Sequence, residues 1–548
     1  MEQARLIIAI GLSFLVFFIW DAFFVEKKTV EKATVEQVEP QPAEQLPGTP
    51  TEAAAPLKEE PLQAVRPVTD RQSRIITVST DKYEARLDER GAAITGFKLK
   101  DYKDSIGENA AMLELVPDMV KGGTVHVYLE DNSREGMRNE VFSAGNTPDQ
   151  LTVNNQPMSV EFSWMSESGL EVIKKYTFTR GTYLIDMDVT VINRSATDRR
   201  ERLSVELVGV APKKTSYAFE GPSAYIDEEL EQIKIKSIKK KNIYKGKIEW
   251  IALEERYFLT SLLIDSKNEG SFELATDSGL VTGKYVHPAR DYKSGKQVTY
   301  RHQLFFGPKQ MDLLNAAGRG LGNLINFGFF DILAKPCLKF MNLIYSVIPN
   351  YGLAIILITI IIKIVLWPLG SKSYKSMNEM KRVQPLMAEI KEKYKNDKKK
   401  QNEETMALYK TYKINPMGGC LPMVVQIPVF FALYRMLYGA IELRHAPFIG
   451  WINDLSAPDR LFSFGFSIPF MQPPYGIPVL TLIMGATMFL QQKMSPPMGD
   501  PAQAKMMMLM PIVFTFIFIN FSSGLVLYWL VNNVLSISQQ YYIQKKFA

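Results

Sequence analysis

The chain has very little of what metal, disulfide or nucleotide chemistry needs. Its 548 residues include two cysteines and four histidines. Cys337 and Cys420 flank opposite ends of the apolar run Tyr351 to Gly370, so a membrane would separate them and no disulfide framework is expected. His126, His287, His302 and His445 lie scattered without metal-ligand spacing, and neither a metal site nor a cofactor is expected. The formal charge of +6 is modest and gives no reason to expect direct nucleic-acid binding. Gly279, Gly283 and Lys284 suggest a phosphate loop only briefly. Three residues separate the glycines where four are needed, and Tyr285 replaces the hydroxyl residue that would meet magnesium. An ATPase is excluded, and no residue pattern points to catalysis.

The most informative absence is of acid. Five apolar runs in the C-terminal half, 351–370, 417–440, 475–492, 506–521 and 525–542, contain no Asp or Glu. Within the first, "YGLAIILITIIIKIVLWPLG", Lys363 is the lone charge. A lysine near the middle of a membrane helix costs roughly 2.5–3.5 kcal/mol, so water, a partner or a task must compensate. Its four-carbon stem could simply carry the ammonium to the nearer interface. The polar groups around it argue for more, because they lie towards the same half: Thr359 one turn before Lys363 in its own run, Gln426 in the next run, and Asn532, Asn533, Ser536, Ser538, Gln539 and Gln540 in the last. Amides and hydroxyls such as Asn532 and Ser536 serve equally well as interhelical glue. A hydrated cavity open to the cytoplasm and closed outside by Tyr528 and Trp529 accounts for all of them. A proton-coupled transporter would normally need an intramembrane carboxylate, which is missing.

What surrounds these runs fixes an architecture. Leu6 to Trp20 is an apolar run behind Arg5 that exits through aromatics into charge, which reads as an uncleaved signal anchor over 1–25. Residues 26–72 are rich in proline and glutamate, with almost no apolar periodicity, and form a tether. Residues 73–310 alternate with period two, most clearly where Ile185, Met187, Val189 and Val191 interleave with polar neighbours, and predict a large antiparallel β-sandwich. Aromatics such as Trp164, Tyr225 and Trp250 could line a sugar groove, but at strand spacing they more often pack a core. The segment 321–349 is too polar to span and too apolar for a loop, and predicts an amphipathic helix in the outer interface.

The connector 371–415 carries twelve Lys/Arg against six Asp/Glu, and the other short connectors on that side are basic too. Six membrane helices with both termini cytoplasmic and the β domain outside satisfy every segment. Within that connector, 373–413 reads as a cytoplasmic helical hairpin turning at Asp397 to Lys400, with Met377, Met380, Met387 and Met406 either packing it or offering an adaptable apolar surface. The run 506–521 rises only about 24 Å against a hydrocarbon core of roughly 30 Å, a mismatch that would thin the bilayer.

Three strings, "SMNEMKRVQPLMAEIKEKYKNDKKK", "ETMALYKTYKINPMGGCLPMVVQIPVFFALYRML" and "SGLVLYWLVNNVLSISQQ", in this order and spacing, resemble the YidC/Oxa/Alb family of membrane protein insertases. The likeness covers roughly Phe327 to Lys546, and the anchor, tether and outer β domain resemble the Gram-negative bacterial branch. The resemblance implies insertion and folding of membrane proteins in the bacterial inner membrane, alone or beside the Sec translocon, without nucleotide hydrolysis. It implies a hydrophilic groove, open to cytoplasm and lipid, that receives the polar segment of a nascent membrane protein. The groove charge falls at Lys363, the aromatic contacts of the last helix at Tyr528 and Trp529, and the substrate-receiving hairpin at Ser373 to Tyr412, so Thr359, Gln426, Asn532 and Ser536 become groove residues. Lipid is an implied partner, with the ribosome or the signal recognition machinery as others. Many relatives carry arginine where this chain has Lys363, which keeps the charge but not the planar fork. The chain runs two residues past Lys546, without the long basic tail that some relatives offer to ribosomes. Two other classes remain open on the residues alone: a secondary transporter, and an envelope scaffold working through the β domain.

Overall fold

The computed structural model describes residues 72–107, 109–130, 137–212, 218–265, 269–412, 421–495 and 501–547. The expected anchor 1–25, the tether up to residue 71, and Cys420 lie outside the described residues.

Period-two sequence becomes strand wherever one face can be buried. In Leu184–Asn193, Ile185, Met187, Val189 and Val191 are fully buried. Leu203, Val205 and Leu207 do the same in Leu203–Val210. The β domain runs from Ile75–Ser79 to Gln297–Pro308 and forms two layers. One layer is a single eight-stranded antiparallel sheet, the other two five-stranded sheets side by side. Both smaller sheets cover one face of the large one. Phe306 of Gln297–Pro308 packs on Phe97 of Ala93–Lys103, ring centres 4.9 Å apart. Four residues earlier on the same strand, His302 Nε2 meets Nε2 of His287, just past Leu280–Val286, at 2.9 Å. The arrangement is antiparallel except where Ile75–Ser79 runs parallel to Gln150–Thr152. Trp250 is fully buried and stacks on Tyr225 at 5.8 Å, so it builds the core. Lys284 sits on a strand and pairs with Glu130 at 2.9 Å and Glu273 at 3.1 Å, a structural ion pair in place of a phosphate site.

Polar groups inside the sandwich make its stability depend on pH. Lys174 is fully buried, donates to the carbonyls of Ala92 (2.8 Å) and Val125, and ties the large sheet to both smaller ones. Burial lowers His126 to about 3 and His302 to about 4, and holds His287 well below its ordinary value. These histidines fold neutral, whereas in the unfolded chain they take a proton below about pH 6.5, so stability is lost as pH falls through that value. His126 alone should lose about 2 kcal/mol between pH 7 and pH 5, and the His287–His302 pair, neutral in the fold and able to take two protons when unfolded, adds to that loss. Thermal melts of the solubilised chain followed by near-UV circular dichroism should show a lower midpoint at pH 5. Equal midpoints would contradict the burial of neutral histidines.

After a short helix at Met311–Ala317 come two 3-10 turns, Leu321–Leu324 and Gly328–Phe330, and then α1, Asp331–Val347. The interfacial segment expected over 321–349 is thus helical only in its second half. Gly320 and Gly328 take left-handed φ values of 71° and 64°, which break the earlier part into turns. The helices that follow are α2 (Tyr351–Val365), α3 (Trp367–Lys393), α4 (Lys398–Thr411), α5 (Leu421–Gly439), α6 (Val479–Met494), α7 (Pro501–Phe518) and α8 (Ser523–Phe547). α2 stops at Val365 where a continuous run to Gly370 was expected, because Pro368 has no amide to donate to the preceding turn and its ring crowds it, and the chain restarts as helix with proline in the first turn. α2 and α3 meet at a bend of 65°. Among the described residues no single helix is long and apolar enough to cross a membrane, while α2 and α3 pass that test as a bent pair. α6 begins at Val479, since Tyr475–Ile477 is drawn into a strand. Gly485 lets α7 approach α6, for a Cβ there would lie 2.1 Å from Thr515 Oγ1. Asp397 caps α4 by accepting from the amides of Lys399 and Lys400, so the hairpin turns just before it.

Candidate functional site

α2 and α8 lie side by side and run in the same direction. Ile355 lies near Gly524 at one end, and Lys363 meets Ser536 towards the other. That parallel pairing sets the depth of their side chains. At 1.5 Å per residue, Lys363 lies about 18 Å from the start of α2, Ser536 about 20 Å from the start of α8, and Gln426 about 20 Å from the end of α5. Three helices therefore bring polar groups to one level. Lys363 Nζ donates to Ser536 Oγ at 2.6 Å, Ser536 Oγ donates to the Asn532 carbonyl at 2.7 Å, and Gln426 Nε2 donates to Asn532 Oδ1 at 2.8 Å. Lys363 is half-buried, and among the described residues no carboxylate pairs with it.

The polar layer continues towards the α3 end. Asn533 Nδ2 reaches Thr487 Oγ1 of α6 at 3.3 Å, and Gln539 Nε2 donates to the Trp367 carbonyl (3.0 Å) and Ser371 Oγ (3.3 Å). Gln540 is buried with neither side-chain polar atom partnered, a costly state in a dry setting. Thr487 and Ser371 were not singled out in the sequence, where an isolated hydroxyl in an apolar helix carries no periodic signal. Thr359 stands apart: it is buried and bonds back to the Ile355 carbonyl at 2.6 Å, so its hydroxyl is already used within α2.

Above this layer, nearer the start of α8, the side chains turn aromatic. Trp529 meets Phe430 edge-on at 4.6 Å and Phe518 at 4.7 Å, with Phe514 at 6.4 Å. Tyr528 is buried and stacks on Phe430 at 6.4 Å. Both sequence-selected aromatics thus join one cluster built from α5, α7 and α8. That end of α5 also meets the β domain, where Arg256 donates twice to the Tyr438 carbonyl, at 3.0 and 2.8 Å, with its guanidinium 3.6 Å from the Tyr438 ring.

The four hairpin methionines separate into two kinds. Met380 and Val383 are buried against Met387, Leu408 and Tyr409, and the Tyr409 hydroxyl reaches Met387 Sδ at 3.4 Å. Met377 is half-buried and Met406 is exposed. Met380 and Met387 therefore pack the hairpin, Met406 faces out, and Met377 is intermediate between the two.

Among known proteins, the chain matches the family described as 60Kd inner membrane protein over residues 343–548, and the YidC periplasmic domain over residues 75–340. A "Membrane protein insertase YidC" of Syntrophus aciditrophicus is 41% identical, over 86% of this chain and 85% of that protein. Another, of Pelobacter propionicus, is 38% identical over 99% of both. The solved structure described as an active YidC insertase with the first transmembrane domain resolved aligns with a TM-score of 0.37 and 20% identity, over 87% of this chain and 95% of that one.

Proposed function

This chain belongs to the YidC family of membrane protein insertases, and on that premise we propose that it inserts and folds proteins in the bacterial inner membrane through a wet, positively charged groove centred on Lys363. The observation that carries the reading is the layer of Lys363, Ser536, Asn532 and Gln426, drawn from three helices to one depth without a carboxylate. Such a layer attracts acidic and polar segments and hydrates part of their path, which shortens the dry distance across roughly 30 Å of hydrocarbon. Nucleotide has no part in it. The energy comes from burial of the substrate's apolar helix, with a smaller term from the membrane potential of ~2.3 kcal/mol per 100 mV per charge.

The topology that goes with this function has the N-terminal anchor as first span and α2, α5, α6, α7 and α8 as the other five. Both termini are cytoplasmic, the β domain is periplasmic, and the α3–α4 hairpin projects into the cytoplasm. The aromatic cluster of Tyr528 and Trp529 closes the groove on the periplasmic side. Partners are nascent membrane proteins, lipid and the Sec translocon, with the ribosome or signal recognition machinery meeting the basic hairpin. α7, at 18 residues, rises about 27 Å and keeps the bilayer thin beside the groove.

The function is tested by presenting a small membrane protein to liposomes that contain only this purified chain, without nucleotide, and reading its protease protection. Protection that requires the chain is expected, and none with several small substrates would refute insertion by the chain alone. The hairpin carries a second expectation. Met380→Ser buries a hydroxyl in the packed seam and should lower hairpin helicity, while Met406→Ser should leave the fold intact and weaken only crosslinking to nascent chains. Equal loss of folding in both would contradict an outward, substrate-facing Met406.

A further inference from the structure

Between α5 and α6 the chain makes a small hairpin whose strands, Leu461–Phe464 and Tyr475–Ile477, pair antiparallel through Leu461 with Ile477 and Phe464 with Tyr475. From Leu461 to Ile477 the sequence, LFSFGFSIPFMQPPYGI, holds no charged residue. Three of its four phenylalanines point outward: Phe462 is 69% exposed, Phe466 65% and Phe470 89%. Phe464 and Phe466 stack at 5.4 Å with planes 4° apart. Phe462 and Phe470 hold positive φ of 59° and 64°, unusual for bulky side chains and sustained only where neighbours fix the backbone.

Those neighbours are at the end of α7. Arg460 donates to the carbonyls of Pro474 (2.9 Å), Asp459 (2.7 Å) and Ile519 (2.8 Å), and its last nitrogen approaches the Gln472 carbonyl and Asn520 Oδ1. Asn520 Nδ2 in turn donates to the Phe470 carbonyl, and its Oδ1 accepts from the Gln472 amide, both at 2.8 Å. The charge at the root is spent on backbone, and the tip is pinned with its rings outward.

We infer that the Leu461–Ile477 hairpin dips into the outer leaflet of the bilayer, with Phe462, Phe466 and Phe470 among the lipid headgroups and upper acyl chains. The inference rests on the membrane topology proposed above, which puts this connector and the end of α7 on the periplasmic side. Three observations select lipid as the occupant. The outward apolar surface of α7, through Ile512, Val513, Phe516 and Ile517, leads up to the hairpin root without interruption by a charge. Aromatic side chains favour the membrane interface. The tip offers a protein partner almost nothing to recognise beyond Ser463, Ser467 and Gln472. A rigid aromatic wedge there would disorder the leaflet where a substrate's translocated segment emerges.

The test is nitroxide depth measurement on the full chain in liposomes. Single labels are placed at Phe470→Cys, Ile517→Cys and Thr276→Cys in a Cys337→Ala, Cys420→Ala background, and oxygen accessibility is compared with that of a water-soluble nickel reagent. Labels at 470 and 517 should both be oxygen-accessible and shielded from nickel, unlike the exposed Thr276 on the β domain. A lipid-like 517 with a water-like 470 overturns the hairpin proposal and leaves the topology standing. A 470 label shielded from both reagents indicates a protein contact and also overturns it. If 517 is itself water-accessible, the topology fails and the proposal falls with it.

Discussion

Lys363→Glu should reduce insertion of substrates with acidic translocated segments at least tenfold, and Lys363→Arg should retain insertion within about threefold, because arginine keeps the charge that glutamate reverses. The ammonium meets Ser536 Oγ at 2.6 Å, and none of α2, α5, α6, α7 and α8 contains an acid to neutralise it, so its field is available to a passing segment. A single pair of charges at 4 Å is worth about 1 kcal/mol in bulk water and about 4 kcal/mol near a protein surface, and reversal converts that attraction into repulsion of similar size. Substrates whose translocated segment is neutral should be less affected. The readout is protease protection in proteoliposomes at matched protein levels. A stably folded Lys363→Glu chain that inserts acidic substrates normally would show that the charge is not what the groove uses.

Trp529→Ala should both destabilise the helical core, by about 3 kcal/mol, and impair insertion, whereas Trp529→Phe should largely preserve both. The indole makes edge contacts at 4.6 Å with Phe430 and 4.7 Å with Phe518, joining α5, α7 and α8 at the level just outside the polar layer. Removing it opens a cavity between α5, α7 and α8 and, on the proposed function, takes away the groove's periplasmic closure. Thermal stability in detergent, and ion leakage through liposomes holding the variant, measure the two consequences separately. A Trp529→Ala protein that melts and seals like the parent would mean that the cluster is incidental.

Much of this was legible in the sequence because each part has a physical period. Alternation in Leu184–Asn193 marked the buried face of a strand residue by residue, and the acid-free runs overlap α2, α5, α6, α7 and α8 with described ends that differ by up to five residues. The depth of Lys363, Gln426 and Asn532 could also be read, since helical rise is fixed. Partnership was less accessible. That Ser536 rather than Asn533 would receive Lys363 depends on the rotation of α8 about its axis, which packing sets, and Asn533 instead faces Thr487. The end of α2 at Val365 came from Pro368, a local signal overridden in the reading by the length of the apolar run. The outward hairpin at Leu461–Ile477 left no periodic trace. Its short strands and positive φ values depend on Arg460 and Asn520, and Asn520 is distant in sequence.

The central claim is that the Lys363 layer is where a substrate's polar segment rests during insertion. Its most direct test places a photo-crosslinking residue at Gln426, Asn532 or Ser536, and at the exposed Phe516 of α7 for comparison, and exposes each to a stalled nascent membrane protein. The account predicts adducts between the three groove positions and the polar flank of the substrate, with only its apolar helix reaching position 516. Adducts of the polar flank at 516 and none at the groove positions would contradict it.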